Sequence, residues 1–266
     1  MIRVAICGTG TMGSLVLSMI EAQADMQPVG MVEPMAPAGE GVTEFLDHAG
    51  TEYPVYSNPA ACFEATHPDV VIDFTNAAFT PALVEAALAH GVRPVIGTSG
   101  VDAATLAKLR DGSAAAGRGA VWAANFAIGA VLQMHMASIA ARFFEAAEII
   151  ELHHDAKVDS PSGTALATAQ LMRAARGSDF NMNVPTLEHV EGARGAQFGG
   201  IPLHSVRLPG FVASQEVIFG GLGQTLVLRH DTTGREAFMP GVIIAVREVM
   251  TRTALVEGLG ALIGLE

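Results

Sequence analysis

At 266 residues, half of them hydrophobic and only 16% charged, the chain can bury a sizeable core, which excludes a disordered protein and allows one large domain or two modest ones. The net charge of -12 comes with no basic run to neutralise phosphates, so a nucleic-acid partner is not expected, while an anionic small substrate depends on local cations. Cys7 and Cys62 are too few for a disulfide framework and lack metal-ligand spacing, so the expectation is a reduced, cytoplasmic protein with no metal site.

The opening MIRVAICGTG predicts a strand over 2–7 running into glycines, with no apolar stretch of signal-peptide length. Gly8, Gly10 and Gly13 in GTGTMG have the G-x-G-x-x-G spacing, and a helix through Leu15, Val16, Met19 and Ile20 follows. The first two glycines permit a tight turn and close backbone approach to a pyrophosphate; the third lets the helix pack on the sheet. A second strand, PVGMVE, ends in Glu33, an acid placed to accept hydrogen bonds from an adenosine ribose. Positions 34–50, rich in Pro, Gly and Ala, predict a loop with a short helical piece near 42–48. Strand and helix then alternate: strands over 69–75, 93–100 and 120–126, with helices over 79–91 and 101–117 between them. Such repeats predict an open, mostly parallel sheet covered on both faces, with the loops at 75–79, 97–100 and 124–129 lining a ligand crevice.

Residues 119–141 contain no Asp, Glu, Lys or Arg and are long enough to span a bilayer, but Asn125, Gln133, His135 and Ser138 interrupt them. They read as a buried strand, a turn, and a core helix running from 129 to 147. Next comes EIIELHHDAKVDSPSGTAL at 148–166. It predicts a strand, then His153 and His154, the cation Lys157, the acid Asp159, and a helix start at Ser162-Gly163-Thr164. Proton-donating rings, a fixed cation and the anion-attracting end of a helix within twelve residues describe a pocket for a small polycarboxylate that must be protonated. Beyond an irregular region at 177–200, segments 201–210, 211–221 and 224–231 alternate and read as an antiparallel meander, and 234–250 as a helix with Pro240 near its true start. The fold class is therefore α/β: a Rossmann-type mostly parallel sheet domain formed by 1–124 and 235–266, with an inserted α+β mixed-sheet domain at 125–234 for substrate and oligomerisation.

These pieces closely resemble the 4-hydroxy-tetrahydrodipicolinate reductase (dihydrodipicolinate reductase) family of lysine and diaminopimelate synthesis. The matching motifs are GTGTMG at 8–13, FT at 74–75, GTSG at 97–100, AANFAIG at 123–129 and, most specifically, ELHHDAKVDSPSGTA at 151–165, so the resemblance spans nearly the whole chain. It implies hydride transfer from NADH or NADPH to a cyclic imine-type dicarboxylate. His153 would be the general acid, and Lys157 would stabilise developing charge. His154, Lys157, Ser162, Gly163 and Thr164 would hold the carboxylates. The cofactor is expected at Gly8, Thr9, Gly10, Thr11, Met12, Gly13, Glu33, Phe74, Thr75, Gly97, Thr98, Ser99, Ala124, Asn125 and Phe126, and the assembly as a homotetramer built through the sheets of the inserted domain.

Four positions depart from the family's common pattern: Thr11, Pro34 and Asn76 stand where basic residues are frequent, and Ala127 replaces a common serine. No basic residue lies between Glu33 and Asp47, so NADH is expected to serve at least as well as NADPH. Another two-domain dehydrogenase would keep the glycine loop but leave 153–164 unexplained. A metal-dependent lyase is disfavoured because adjacent histidines on a strand point to opposite faces, and a regulator without catalysis because the histidine–lysine–helix-start set is intact.

Overall fold

The computed structural model describes residues 1–37, 39, 41–182, 185 and 187–265; the loop and domain expectations at positions 38, 40, 183, 184, 186 and 266 lie outside the described residues. The chain divides into two compact units, one comprising Met1–Phe126 with Phe238–Gly264 and the other Ala127–Ala237. In chain order the first unit contributes β1 (Ile2–Cys7), α1 (Thr11–Glu21), β2 (Met26–Val32), β3 (Val42–His48), β4 (Thr51–Tyr56), α2 (Pro59–Thr66), β5 (Val70–Asp73), α3 (Thr80–His90), β6 (Arg93–Ile96), α4 (Ala103–Ala116) and β7 (Ala120–Trp122). The second supplies α5 (Ile128–Ala140), β8 (Ala146–His153), α6 (Gly163–Arg176), β9 (Ala196–Phe198), β10 (Ile201–Arg207), β11 (Ala213–Gly221) and β12 (Gln224–Thr232), after which α7 (Met239–Val249) and β13 (Leu255–Glu257) rejoin the first.

In the first unit, eight strands lie in the order β13-β7-β6-β5-β1-β2-β4-β3, all parallel except β3. Helices α2, α3 and α4 pack side by side, and α1 packs with α7. Buried runs such as Val4–Cys7 and Val70–Asp73 are apolar almost throughout because both faces are covered. The helices stop where their sequences dictate: Gly91 and Gly117 take the left-handed conformation just past α3 and α4. Chain order reverses across β1, whose neighbours are β2 on one side and β5 on the other. The loops after β1 and β5 therefore flank the point where open α/β sheets bind ligands.

The helical piece expected near 42–48 is instead β3, the outermost strand, antiparallel to β4. Val42, Phe45 and Leu46 suit helical spacing, but pairing with the β-compatible Thr51–Tyr56 wins. The two-residue turn Ala49-Gly50 has positive φ at both positions, as a tight hairpin with right-handed strand twist requires.

The second unit is a five-stranded mixed sheet, β12-β11-β8-β10-β9, with α5 and α6 packed together over it. Ala147 and Ile149 of β8, Val217 and Phe219 of β11 and Leu203 of β10 join Ala137, Ala169 and Met172 of the helices in one core. The expected meander is corrected here: β11 and β12 form a hairpin, but β8 lies between β10 and β11, parallel to the first and antiparallel to the second. The helix expected to reach position 147 ends at Ala140. Arg176 donates to the carbonyls of Ala141 and Phe144, turning the chain, and Ala146–Ala147 are drawn into the sheet opposite Gly220 and Phe219. Among the described residues no helix is long and apolar enough to cross a membrane.

Candidate functional site

The glycine loop of the first unit is shaped for close approach of a ligand. Gly8 has φ +95°, open to glycine at little cost, and a Cβ on Gly13 would lie 1.8 Å from the Gly8 carbonyl oxygen, so no side chain fits where α1 crosses the loop. A Cβ on Gly10 would meet nothing within 4 Å. Gly10 is also the N-cap of α1, with no capping side chain and no acid in the first turn, which leaves backbone N–H groups and the positive helix end facing that space.

Glu33, just beyond β2, is fixed from both sides. One carboxylate oxygen accepts from the Thr9 backbone N–H (2.9 Å) and hydroxyl (2.8 Å), and the other from the Met35 N–H (3.0 Å). Partial burial favours its neutral form, but these donors outweigh burial and hold the carboxyl below its ordinary value. At the ends of β5, β6 and β7 the remaining expected residues are braced. Buried Asp73 accepts from the Thr75 N–H and hydroxyl at 2.9 and 2.6 Å. Phe74 packs edge-on to Phe126 and fills the space beside Gly97. Trp122 Nε1 donates to the Thr98 carbonyl at 3.3 Å, while the buried Thr98 hydroxyl has no partner among the described residues. A glycine cradle, a fixed carboxylate and a buried hydroxyl with no partner among the described residues, all at carboxyl ends of parallel strands, fit a dinucleotide. Ser99, Ala124 and Asn125 fall on the same strand-end loops.

The second unit carries the other chemistry. The core-facing positions of β8 are Ala147, Ile149 and Glu151, and His153 follows two residues later on the same side of the strand. Glu151 is 1% exposed. One of its oxygens lies 2.5 Å from His153 Nδ1 and 2.8 Å from Arg207 Nη1; the other accepts from Arg207 Nη2 (2.7 Å) and the Ser162 N–H (3.2 Å). Arg207 ends β10, placed opposite His153 by the parallel register. Its Nη2 also donates to the Asp159 carbonyl at 2.7 Å.

Burial pushes the His153 imidazole below its ordinary pKa. Glu151 opposes that shift, and Lys157 and Arg207 add to it. For Glu151, burial would favour the neutral acid, but Arg207, Ser205 and His153 together hold it below the ordinary carboxylate value. Lys157 pairs with Asp159 at 2.6 Å, and His154 is exposed just past the strand. Ser162 is the N-cap of α6: its hydroxyl accepts from the Ala165 N–H at 3.1 Å. Since its own N–H goes to Glu151, the first-turn N–H groups of Gly163 and Thr164 are the ones the helix start offers an anion.

His153, Lys157 and the α6 start are thus brought together by one strand, one loop and one helix. Sequence reasoning missed Glu151 and Arg207. The period-two pattern contained a signal for Glu151, an acid at a core-facing position two residues before His153; Arg207 becomes visible only with the β8–β10 register.

The N-terminal family model of dihydrodipicolinate reductase matches residues 2–126, and the C-terminal model matches 129–262. A 4-hydroxy-tetrahydrodipicolinate reductase from Geobacillus kaustophilus is 46% identical over 259 residues, 97% of both chains, and one from Dehalococcoides mccartyi 42% identical over 265 residues, 99% of both. The dipicolinate-bound dihydrodipicolinate reductase of a Paenisporosarcina species superposes with a TM-score of 0.87 at 40% identity, covering 98% of this chain and 99% of that one. A myo-inositol dehydrogenase from Lactobacillus casei, 12% identical with a TM-score of 0.61, shares the fold alone. The chain belongs to the dihydrodipicolinate reductase family: it is an oxidoreductase that uses a nicotinamide cofactor to reduce 4-hydroxy-tetrahydrodipicolinate in lysine and diaminopimelate synthesis.

Proposed function

We propose that this family member divides its labour by unit, with the first holding the nucleotide and the second holding and protonating the dicarboxylate. The observation that carries the reading is the His153 cluster: a half-buried imidazole held by a buried carboxylate, with a lysine and an α-helix start on the segment that follows it. A bound reduced nicotinamide supplies the hydride. His153 then gives its proton to the enamine-like centre that hydride addition leaves, Lys157 offsets the charge that builds, and the Gly163 and Thr164 N–H groups with His154 and the Ser162 hydroxyl receive the carboxylates. Glu33, Thr9 and the glycine loop hold the adenosine and pyrophosphate, with the loops at 74–75, 97–99 and 124–126 around the nicotinamide.

NADH serves at least as well as NADPH in this reading, because Glu33 stays ionised and no nearby base greets a 2′-phosphate. The working form is a cytoplasmic homotetramer with no nucleic-acid partner. The test is His153→Gln, which keeps some hydrogen bonding but removes the titrating proton. Turnover should fall by about 10²–10⁴-fold, the range a general acid supplies, with a smaller change in substrate affinity and an unchanged NADH titration. Turnover within about threefold of the parent, well below that range, would show that another group delivers the proton.

A further inference from the structure

We infer that Glu151 and Arg207 are a positioning pair for His153: Glu151 holds the Nδ1–H edge so that Nε2 is the atom that delivers the proton, and Arg207 keeps Glu151 ionised and in place. This rests on His153 being the donor. Glu151 is 1% exposed on the core side of β8, where an unpaired carboxylate would be costly. Its oxygens are met by both ends of Arg207, the Ser162 N–H and His153 Nδ1. A buried ion pair of this kind is weak as a stability device, since apolar residues of similar size do as well. What Glu151, held by Arg207, does here that an apolar residue cannot is orient an imidazole and favour its charged form.

The charged groups around His153 are Glu151 on its own strand, Arg207 at the end of β10, and Lys157 and Asp159 on the following loop; β11 presents Ala213 opposite it. Because Arg207 also holds the Asp159 carbonyl, one guanidinium ties the Glu151–His153 pair to the loop that carries Lys157. In the step itself the Nε2–H bond breaks and the proton bonds to the substrate's electron-rich centre. The imidazolium becomes a neutral imidazole that keeps its Nδ1–H on Glu151, and solvent later reprotonates Nε2.

The experiment is the pH dependence of kcat and kcat/KM for the full-length Glu151→Gln and Arg207→Gln variants, with melting temperature and NADH titration alongside. A general acid works while protonated, so the rate falls as pH rises through the His153 pKa. Glu151→Gln removes an anion that favours imidazolium. Its alkaline limb should move to lower pH and its turnover near pH 8 drop by about 10- to 100-fold, part of the about 10²–10⁴-fold a general acid supplies. Arg207→Gln leaves buried Glu151 without the cation that keeps it ionised and in place, so its limb should also move to lower pH, by less than in Glu151→Gln. A merely bracing role would lower both melting temperatures and leave both limbs in place, which would overturn the inference, as would a limb at higher pH for Arg207→Gln, since Arg207 would then act only by repelling the imidazolium. Nitrogen NMR of the unaltered protein provides a readout that needs no variant: neutral His153 should carry its proton on Nδ1, and a proton on Nε2 overturns the inference. If His153→Gln is impaired while Glu151→Gln keeps its parent's limb, this inference alone fails; if His153→Gln turns over normally, the donor assignment fails with it.

Discussion

Lys157 shows how a single side chain can be both bound and available. Its ammonium pairs with Asp159, whose carboxyl is held below its ordinary value chiefly by that lysine, yet Asp159 is half exposed. A substrate carboxylate can therefore replace it, since exposed ion pairs are worth little. Lys157→Ala removes a charge felt by substrate and transition state alike, so KM should rise and kcat fall together. The combined loss in kcat/KM should be about 10- to 150-fold, the equivalent of one charge-assisted hydrogen bond of about 1.5–3 kcal/mol. Steady-state kinetics check it, and a change in KM alone would confine Lys157 to ground-state binding. Cofactor choice is also decided at single residues. With Thr9 and Met35 holding Glu33 ionised, a 2′-phosphate bearing about two negative charges meets repulsion. Kinetics with both nucleotides should show kcat/KM for NADH equal to or above that for NADPH; a tenfold preference for NADPH would overturn the reading. Glu33 and His153 were legible because acid-after-strand and histidine-before-helix are local patterns. The Thr9–Glu33 and Arg207–Glu151 bonds were not, because they join residues 24 and 56 positions apart through strand pairing.

At the scale of elements, the start of α5 explains the most puzzling sequence departure. Ala127 is the N-cap of α5, with extended backbone and no side-chain cap, where the resemblance drawn from the sequence expects a serine. A hydroxyl there would accept from a first-turn N–H. Ala127→Ser should therefore stabilise the protein by about 1 kcal/mol and raise its melting temperature by about 2–4 °C. Calorimetry checks it; an unchanged or lower midpoint would mean that the buried site cannot admit the oxygen. Helices with caps were read well: α3, α4 and α6 end at glycines in the left-handed conformation, and Ser162 starts α6. Misreadings fell where spacing was ambiguous and partner strands decided. Val42–His48 became an edge strand because β4 offered a ladder, and 142–147 left the helix because β8 needed Ala147 in register with Phe219.

For the whole molecule, the proposed assembly would use the face of the second unit's sheet opposite its helices. Alternation along β8 sends Ala147 and Ile149 toward α5 and α6, and Ile150 and Leu152 the other way. Register places Val206 beside Leu152, Ile218 beside Glu148, and Val227, which is 49% exposed, beside Ile218. The ion pairs on that face, Glu148 with Arg194 and His204 and Glu216 with Arg229, are partly exposed and lie among these residues, Glu148 opposite Ile218 and Glu216 opposite Ile150. A sheet with an apolar stripe on one face and open edges at β12 and β9 invites a second copy. Light scattering at micromolar concentration should give a homotetramer, and a monomer would overturn the proposal. The paired substitution Ile218→Asp and Val227→Asp should dissociate it, because it would bury two carboxylates side by side and next to Glu148. Val217 and Phe219 point into the core on the opposite face, so circular dichroism of the dissociated variant should keep its helix content. Loss of helix together with dissociation would mean that these side chains support the fold and not the interface.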